Sequence, residues 1–457
     1  YGLAIYAILR RRMGTALSLA GSAVCLLNLH AYFMSDLCSP EIAYALCAVG
    51  FFATRERSSP IVAGALAAAA FGLRTAGITL FAAWTAEAIL ERRFRTAGIR
   101  VAIAVVPFVA WQAYVASVES SAEYREPAYA YQRADYAFYN VSYSRNVFSL
   151  VDGFRPELGE ASVAALRDRF VANLAEVPSS FGESMSTVET VWSLEWQSLR
   201  RRTGWEWLPP WIPRAAVLVL GWIVIASLLV QAARGRWFGP LFVVASIVVA
   251  CLTPWAGQFA RYNVPLAPFF VLAVGEALSL AAKRLPRAAV VATVLFGAIL
   301  VQQTATAFVA LTRWHGPATV RDQNGVPRSM RLFFYHDAYR VLDESLDRVK
   351  AEAAPDDVIA VSMPHWTYLR TGLKSVMPPF EIDANLAQEL LDSVPVRYLI
   401  ADVGLAADTW RYTSAVVAAF PDRWQVVHSS PVRNESGELD PREFRVYRRT
   451  DLDLPPR

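Results

Sequence analysis

The sequence predicts an α-helical polytopic membrane protein that ends in a small α/β domain. Three observations lead there. Of the 457 residues, 55% are hydrophobic and 18% charged, against roughly 45–50% and 25% in soluble domains. Apolar runs near the ~20 residues that cross a bilayer recur from the first residue to about position 311. Beyond 312, short β-like runs alternate with helical periodicity. Four Cys exclude a disulfide scaffold, and 26 Pro and 23 Gly without a repeat exclude collagen-like or low-complexity chains.

The apolar runs cover 13–33, 40–53, 99–117, 215–232, 238–254, 262–282 and 288–311, with a longer stretch at 61–90. Residues 1–9 read as the tail of another helix, so about nine or ten spans are expected. The chain opens on Tyr1 inside an apolar run, which predicts further spanning residues ahead of it. Basic residues gather at Arg10–Arg12, Arg55 and Arg57, 92–100, Arg234 and Arg236, and 283–287: 14 Lys/Arg against two acids. Every second connection is therefore basic, as the positive-inside rule requires of cytoplasmic loops. The intervening parts face outward. Among them, 118–212 holds 9 basic and 13 acidic residues, and 312–457 holds 18 and 21. The net charge of +4 thus reports orientation, not a nucleic-acid partner.

Parity splits the stretch 61–90. One straight helix of that length would span ~45 Å and end on the wrong side. Two short helices turning at Arg74-Thr75-Ala76-Gly77 fit, and they put Arg74 at the outer edge. The expected organisation is N-terminal helices at 1–117, an external Tyr-rich helical loop at 118–212, further helices at 213–311, and an exported α/β domain at 312–457.

The exported parts contain no Cys, and only three of the 44 basic residues are Lys. That Arg bias marks a high-GC bacterial genome. It predicts a bacterial inner (plasma) membrane protein with its C-terminal domain on the periplasmic or extracellular side. In such a source the sequons at Asn140 and Asn434 are chance matches. The loop carries Tyr at 124, 129, 131, 136, 139 and 143, either as an interfacial helix or as a wall for a carbohydrate acceptor. It continues in helical stretches at 160–176 and 183–200. Trp205, Trp207 and Trp211 form an aromatic belt before the next span.

In the tail, 357–362, 397–402, 424–429 and 444–448 read as strands, and 337–353, 385–391 and 408–420 as helices. That alternation predicts a largely parallel sheet. No GxGxxG, Walker A or GxSxG sequence is present, so neither a nucleotide-binding nor a hydrolase module is indicated.

A charge at the centre of a span costs roughly 3 kcal/mol on insertion scales, so polar residues there are informative. They cluster on the outer side. Asn28, His30, Ser35, Asp36 and Glu41 flank the first external turn; Arg74 marks the second; Gln258, Arg261 and Tyr262 mark another. Carboxylates can take a proton from a hydroxyl, and arginines can grip a phosphate through bidentate bonds. Each also has a bland role. Ser39-Pro40-Glu41 suits a helix start, and Arg74 or Arg261 could reach lipid phosphates. Glu87 and Glu276 read as residues snorkelling at cytoplasmic helix ends. No zinc-type spacing is present, and the metal requirement stays open.

Four segments carry a resemblance. Phe71-Gly-Leu-Arg-Thr-Ala-Gly77 resembles the arginine turn of bacterial GT-C membrane glycosyltransferases, the dolichyl-phosphate-mannose mannosyltransferase-like superfamily. Arg261-Tyr-Asn-Val-Pro-Leu-Ala-Pro268 is similar to the opening of a late helix in that group. Ser35-Asp-Leu-Cys-Ser-Pro-Glu41 is similar to an acidic turn before one of its early helices, and Tyr368-Leu-Arg-Thr-Gly372 to a segment of its exported tail. The resemblance implies transfer of a sugar from a polyprenyl-phosphate donor to a glycan, lipid or protein acceptor on the external face. It makes Asp36 and Glu41 the carboxylates that assist the acceptor. Arg74, Arg261 and Tyr262 would bind the donor phosphate, and His30 and Gln258 would be further contacts. It also implies an acidic catalytic loop ahead of Tyr1. No cofactor is firmly implied. Other classes remain: a lipid-linked-sugar transporter or flippase, which would show inverted repeats and midplane charges, and a polysaccharide polymerase or ligase.

Overall fold

The computed structural model describes residues 1–457 except 37–38, 57, 127–146, 255–257, 286, 315, 322–323, 333–334, 406–408, 434–437 and 454–457. The chain folds as two compact units, one of residues 1–119 and 167–313 and one of 120–166 and 314–457. Five of the loop tyrosines and both sequons lie outside the described residues.

The first unit is helical. It begins with α1 (Gly2–Arg10), α2 (Thr15–Leu26), α3 (Leu29–Asp36), α4 (Pro40–Thr54), α5 (Pro60–Leu73), α6 (Ile78–Leu90) and α7 (Phe94–Glu119). Among the described residues, four helices are long and apolar enough to cross a membrane: Phe94–Glu119, Ile212–Ala233, Phe259–Arg284 and Arg287–Thr312. The pair α2–α3, bent by 57°, makes a fifth if counted as one broken span. The apolar helices α4, α5, α6 and Phe238–Cys251 are shorter; α4, with 15 residues, is roughly 22 Å long against the ~30 Å of a hydrocarbon core. The bend between α2 and α3 departs from the single run expected at 13–33, while α4 and Phe238–Cys251 follow the runs at 40–53 and 238–254. The stretch 61–90 does break at Arg74.

Aromatic side chains fill this unit's core. Phe51 meets the Trp84 ring edge-on at 5.4 Å, Phe52 meets Phe269 at 5.5 Å, and Phe181 lies 4.5 Å from Phe270. Phe181 belongs to the helix Val163–Met185, part of the stretch read as an external loop. Its C-terminal half is buried, including Val177, Ser180, Gly182 and Ser184. Small residues make this possible. A Cβ on Gly182 would meet the Val217 carbonyl carbon at 2.7 Å, and one on Gly221 would meet that of Pro178 at 2.6 Å, so two backbones touch where they cross. Asn173 donates to the carbonyls of Cys251 and Thr253 at 2.9 Å. Gln303 donates to Val24, Met185 and Ser186. These amides satisfy backbone groups that water cannot reach.

The second unit holds a hairpin of β1 (Gly316–Arg321) and β2 (Pro327–Leu332), and a five-stranded sheet. The sheet's strands are β3 (Val358–Ala360), β4 (Lys374–Val376), β5 (Val396–Ala401), β6 (Trp424–Arg433) and β7 (Leu439–Arg449), in the order β4-β3-β5-β7-β6. β3 runs parallel to β4 and β5, but β7 is antiparallel to both β5 and β6. The expectation of a largely parallel sheet is corrected here: β6 and β7 follow each other as a hairpin, which needs no crossover helix. Successive residues of β3 serve opposite faces. Val358 and Ala360 pack with Leu391 and Val416, and Ile359 packs with Val341, Leu342 and Leu346. The helix Asp337–Glu352 therefore covers one face, and Ala384–Asp392 with Trp410–Ala419 the other. Part of the loop belongs to this unit. The Tyr412 hydroxyl contacts the Phe154 carbonyl at 3.0 Å and Glu157 at 2.8 Å.

Candidate functional site

The site grows from three helix ends. At the first, Pro40 occupies the opening turn of α4 and Glu41 the position where a carboxylate favours the helix dipole. Ser39 was expected to cap this helix. It makes no cap; its hydroxyl donates instead to Glu41 Oε2. At the second, α5 ends at Leu73 and the Arg74 backbone is extended (φ −148°, ψ 130°). The Gly77 N–H returns to the Arg74 carbonyl at 2.7 Å, and Thr79 Oγ1 donates to the Ala76 carbonyl at 2.6 Å. Gly77 packs so closely on the end of α5 that a Cβ would come within 2.6 Å of Phe71 Cα. Only glycine closes this turn. At the third, Arg261 sits in the short helix Phe259–Asn263, tied down where Asn263 donates to Ser180 Oγ at 2.7 Å.

These turns bring three of the expected residues together. Glu41 is 1% exposed, and its Oε1 takes Arg261 Nε at 2.7 Å and Arg74 Nη1 at 3.2 Å. Taken from water alone, such a carboxylate would be costly; two guanidiniums and a hydroxyl compensate it. The triad keeps one net positive charge. The arginine side chains remain 27% and 36% exposed, so donor groups stay reachable from outside. The Arg74 guanidinium lies 5.9 Å from the Tyr262 ring centroid, and the Tyr262 hydroxyl donates to Gln258 at 3.2 Å. The His30 Nε2 is buried with no hydrogen-bond partner among the described residues. Asp36 is the last residue of α3, and its side chain falls outside what the structure describes.

Sequence reasoning did not find the role of Asn28. Its Oδ1 accepts from the His30 N–H at 3.0 Å, and its Nδ2 donates to the carbonyls of Glu183, Ser184 and Ser186. It thereby holds the α2–α3 bend that carries His30. An amide in an apolar run was the visible signal; its partners, more than 150 residues away, were not.

A second charged cluster lies at the other end of α4, around a cavity of about 110 Å³. Glu87 sits 3.5 Å from both Arg55 and Arg100. Glu276 pairs with Arg12 at 3.6 Å and Arg236 at 2.7 Å. The Arg55 guanidinium stacks 4.8 Å and 4.5 Å from the rings of Phe52 and Phe238. Glu87 and Glu276 therefore do not snorkel. Each sits between two arginines as Glu41 does, Glu87 buried and Glu276 half-buried.

In the second unit, Tyr368-Leu-Arg-Thr-Gly372 has a structural job. Arg370 bonds Asp343 at 2.9 Å, Asp347 at 2.7 Å and the Thr319 carbonyl at 2.9 Å. Asp343 also accepts from Trp366 Nε1 at 2.7 Å and from the Tyr335 hydroxyl. Burial pushes the Asp343 carboxyl above its ordinary range, although these donors and Arg370 pull it back. Among the described residues, no group of three or more His, Cys, Asp or Glu gathers where a metal ion could sit. Comparison with protein-family models and with curated proteins finds no match.

Proposed function

We propose that this chain is a membrane glycosyltransferase that moves a sugar from a polyprenyl-phosphate donor to a hydroxyl acceptor on the external face of a bacterial inner membrane. One observation carries the reading: Arg74 and Arg261, from separate turns, converge on the buried Glu41 and keep exposed guanidinium surface. The leaving group of such a transfer is a lipid phosphate. A guanidinium at 4 Å stabilises that anion by up to ~4 kcal/mol at an effective dielectric near 20. Two arginines held by one carboxylate need no reorganisation when the charge develops. Glu41 then positions the pair, and Asp36 is the carboxylate this reading gives to the acceptor hydroxyl. The acceptor attacks the anomeric carbon through an oxocarbenium-like state, and the sugar–phosphate bond breaks as the new glycosidic bond forms.

Arg74→Lys tests this. An ammonium cannot reproduce the planar fork, and losing a charge-assisted hydrogen bond worth ~1.5–3 kcal/mol predicts a fall of roughly ten- to a hundredfold in transfer. Amounts of inserted protein should hold, since Lys reaches the interface as Arg does. Normal transfer by the Lys variant would remove Arg74 from the site and leave Arg261 as the only phosphate candidate.

The orientation has its own test. In the proposed topology about nine or ten helices traverse the membrane, with basic loops inside. In a cysteine-free background, Ser35→Cys, Arg202→Cys and Gln425→Cys should react with an impermeant thiol reagent in intact cells, and Leu285→Cys should not. The opposite pattern would overturn the orientation and the external site with it.

A further inference from the structure

The charged cavity at the α4 end opposite Glu41 holds a donor that its glutamates do not use. Arg55 lines it, with a side chain only 8% exposed. The rings of Phe52 and Phe238 stack on its guanidinium and so fix the plane in which its donors spread. Nη1 bonds Glu56 at 2.7 Å. Nη2 lies 3.5 Å from Glu87, well beyond the ~2.7–2.9 Å of a charge-assisted hydrogen bond. Nε is buried and has no partner among the described residues, and an unpaired buried donor is costly. The edge formed by Nε and Nη2 is therefore an unfilled fork. Across the cavity, Arg12 Nε stands a similarly loose 3.6 Å from Glu276. Three arginines and four glutamates line the space. Arg93 on Glu91 and Arg100 on Glu87 bring the cluster to five against four, one net positive charge. At about 110 Å³, the cavity is well below the roughly 300–1,000 Å³ of drug-sized sites. It is still several times the ~10–15 Å³ that one water needs.

We infer that this cavity binds a single phosphate group. Three features choose that chemistry. The net charge of the cluster calls for an anion. The open edge of Arg55 matches two oxygens of a tetrahedral oxyanion. The volume admits one such group and excludes a nucleoside or a sugar. Glu87 and Glu276 do not oppose it. Each lies between two arginines and holds them in place, as Glu41 holds Arg74 and Arg261. A free phosphate ion and a phospholipid headgroup both offer this group, and the experiment separates them. In the proposed orientation the site faces the cytoplasm, and it stands whether or not the Glu41 triad transfers sugar.

The probe is inorganic phosphate, titrated calorimetrically into the purified full-length protein in neutral detergent at constant ionic strength. The titration is run on the wild type and on Arg74→Lys, which disarms the Glu41 triad. A saturable site should remain in Arg74→Lys. Adding Arg55→Lys should weaken that site about tenfold or more, because an ammonium keeps the charge and loses the fork. Arg236→Gln, at a half-exposed side chain beside Glu276, should weaken it severalfold, and it serves if the Arg55 variant does not accumulate. Phosphatidylcholine nanodiscs with and without phosphatidic acid then identify the source. Loss of the phosphate titration in the anionic discs assigns the site to a lipid headgroup; an unchanged titration assigns it to the free ion. Either result upholds the phosphate site. Absence of a saturable site in Arg74→Lys would leave the cavity to water and overturn the inference. So would a site that Arg55→Lys and Arg236→Gln both leave unchanged.

Discussion

Glu41→Gln is expected to reduce sugar transfer by roughly 10²- to 10⁴-fold, at matched protein amounts. The carboxylate is 1% exposed and is the shared partner of Arg74 and Arg261. Its removal leaves two guanidiniums facing each other with no anion between them. Breaking a buried pair in this way costs about 3–5 kcal/mol, and a barrier increase of that size corresponds to the stated range. The neutral amide keeps the shape of the side chain, so the loss reports charge rather than packing. Thermal stability in detergent should fall too, and inorganic phosphate should restore part of it by supplying the missing anion. Glu41→Asp should fall between, since a shorter arm can reach one arginine. Transfer within about threefold of wild type for the Gln variant would show that the arginines hold their places without Glu41.

The second large effect belongs to the other unit. Asp343 is 3% exposed and accepts from Tyr335, Trp366 and Arg370. Asp343→Ala removes the acceptor of Tyr335 and Trp366, each a donor whose loss of a partner costs about 1–3 kcal/mol when buried, while Arg370 keeps Asp347 and the Thr319 carbonyl. The expected result is early proteolytic release of the C-terminal unit from the full-length protein, with the helical unit still intact. Asp343→Asn should be milder, because one amide oxygen can still accept. A melting shift below about 1 kcal/mol, the size of an ordinary surface change, would mean that the Arg370–Asp347 pair suffices to hold the hairpin side of this unit.

The helices were legible because apolar runs punctuated by Arg, Gly and Pro are the strongest signal a sequence carries. The break at Arg74 followed from parity alone, and the strands β3, β5, β6 and β7 from β-like runs. β4 and the β1–β2 hairpin were not, since Lys374-Ser375-Val376 offers one apolar residue and a polar hairpin leaves almost no periodicity. The burial of Val163–Met185 was hidden for a different reason. Its first half carries Arg167, Asp168 and Arg169, and only contact with Val217 and Phe270 explains why Gly182 and Phe181 lie inside. For the site, residue types and their shared side could be read. That Glu41 would be clasped by both arginines could not, because a lone Glu after Ser-Pro looks like a helix start. Charges distant in sequence reveal their pairing only in three dimensions.

The three carboxylates clasped by arginines differ in when their partners are made. Glu87 has Arg55 and Arg100 nearby in the chain, so the early helices can neutralise it as soon as they leave the ribosome. Arg12 has to wait for Glu276, and Glu41, already beside Arg74, waits for Arg261, 220 residues later. During synthesis the early helices therefore stand in the membrane with an arginine and a half-satisfied carboxylate still uncompensated. The arrival of the late helices closes both ends of α4 at once. The Arg74–Glu41–Arg261 triad thus forms only once the chain has been made as far as Arg261.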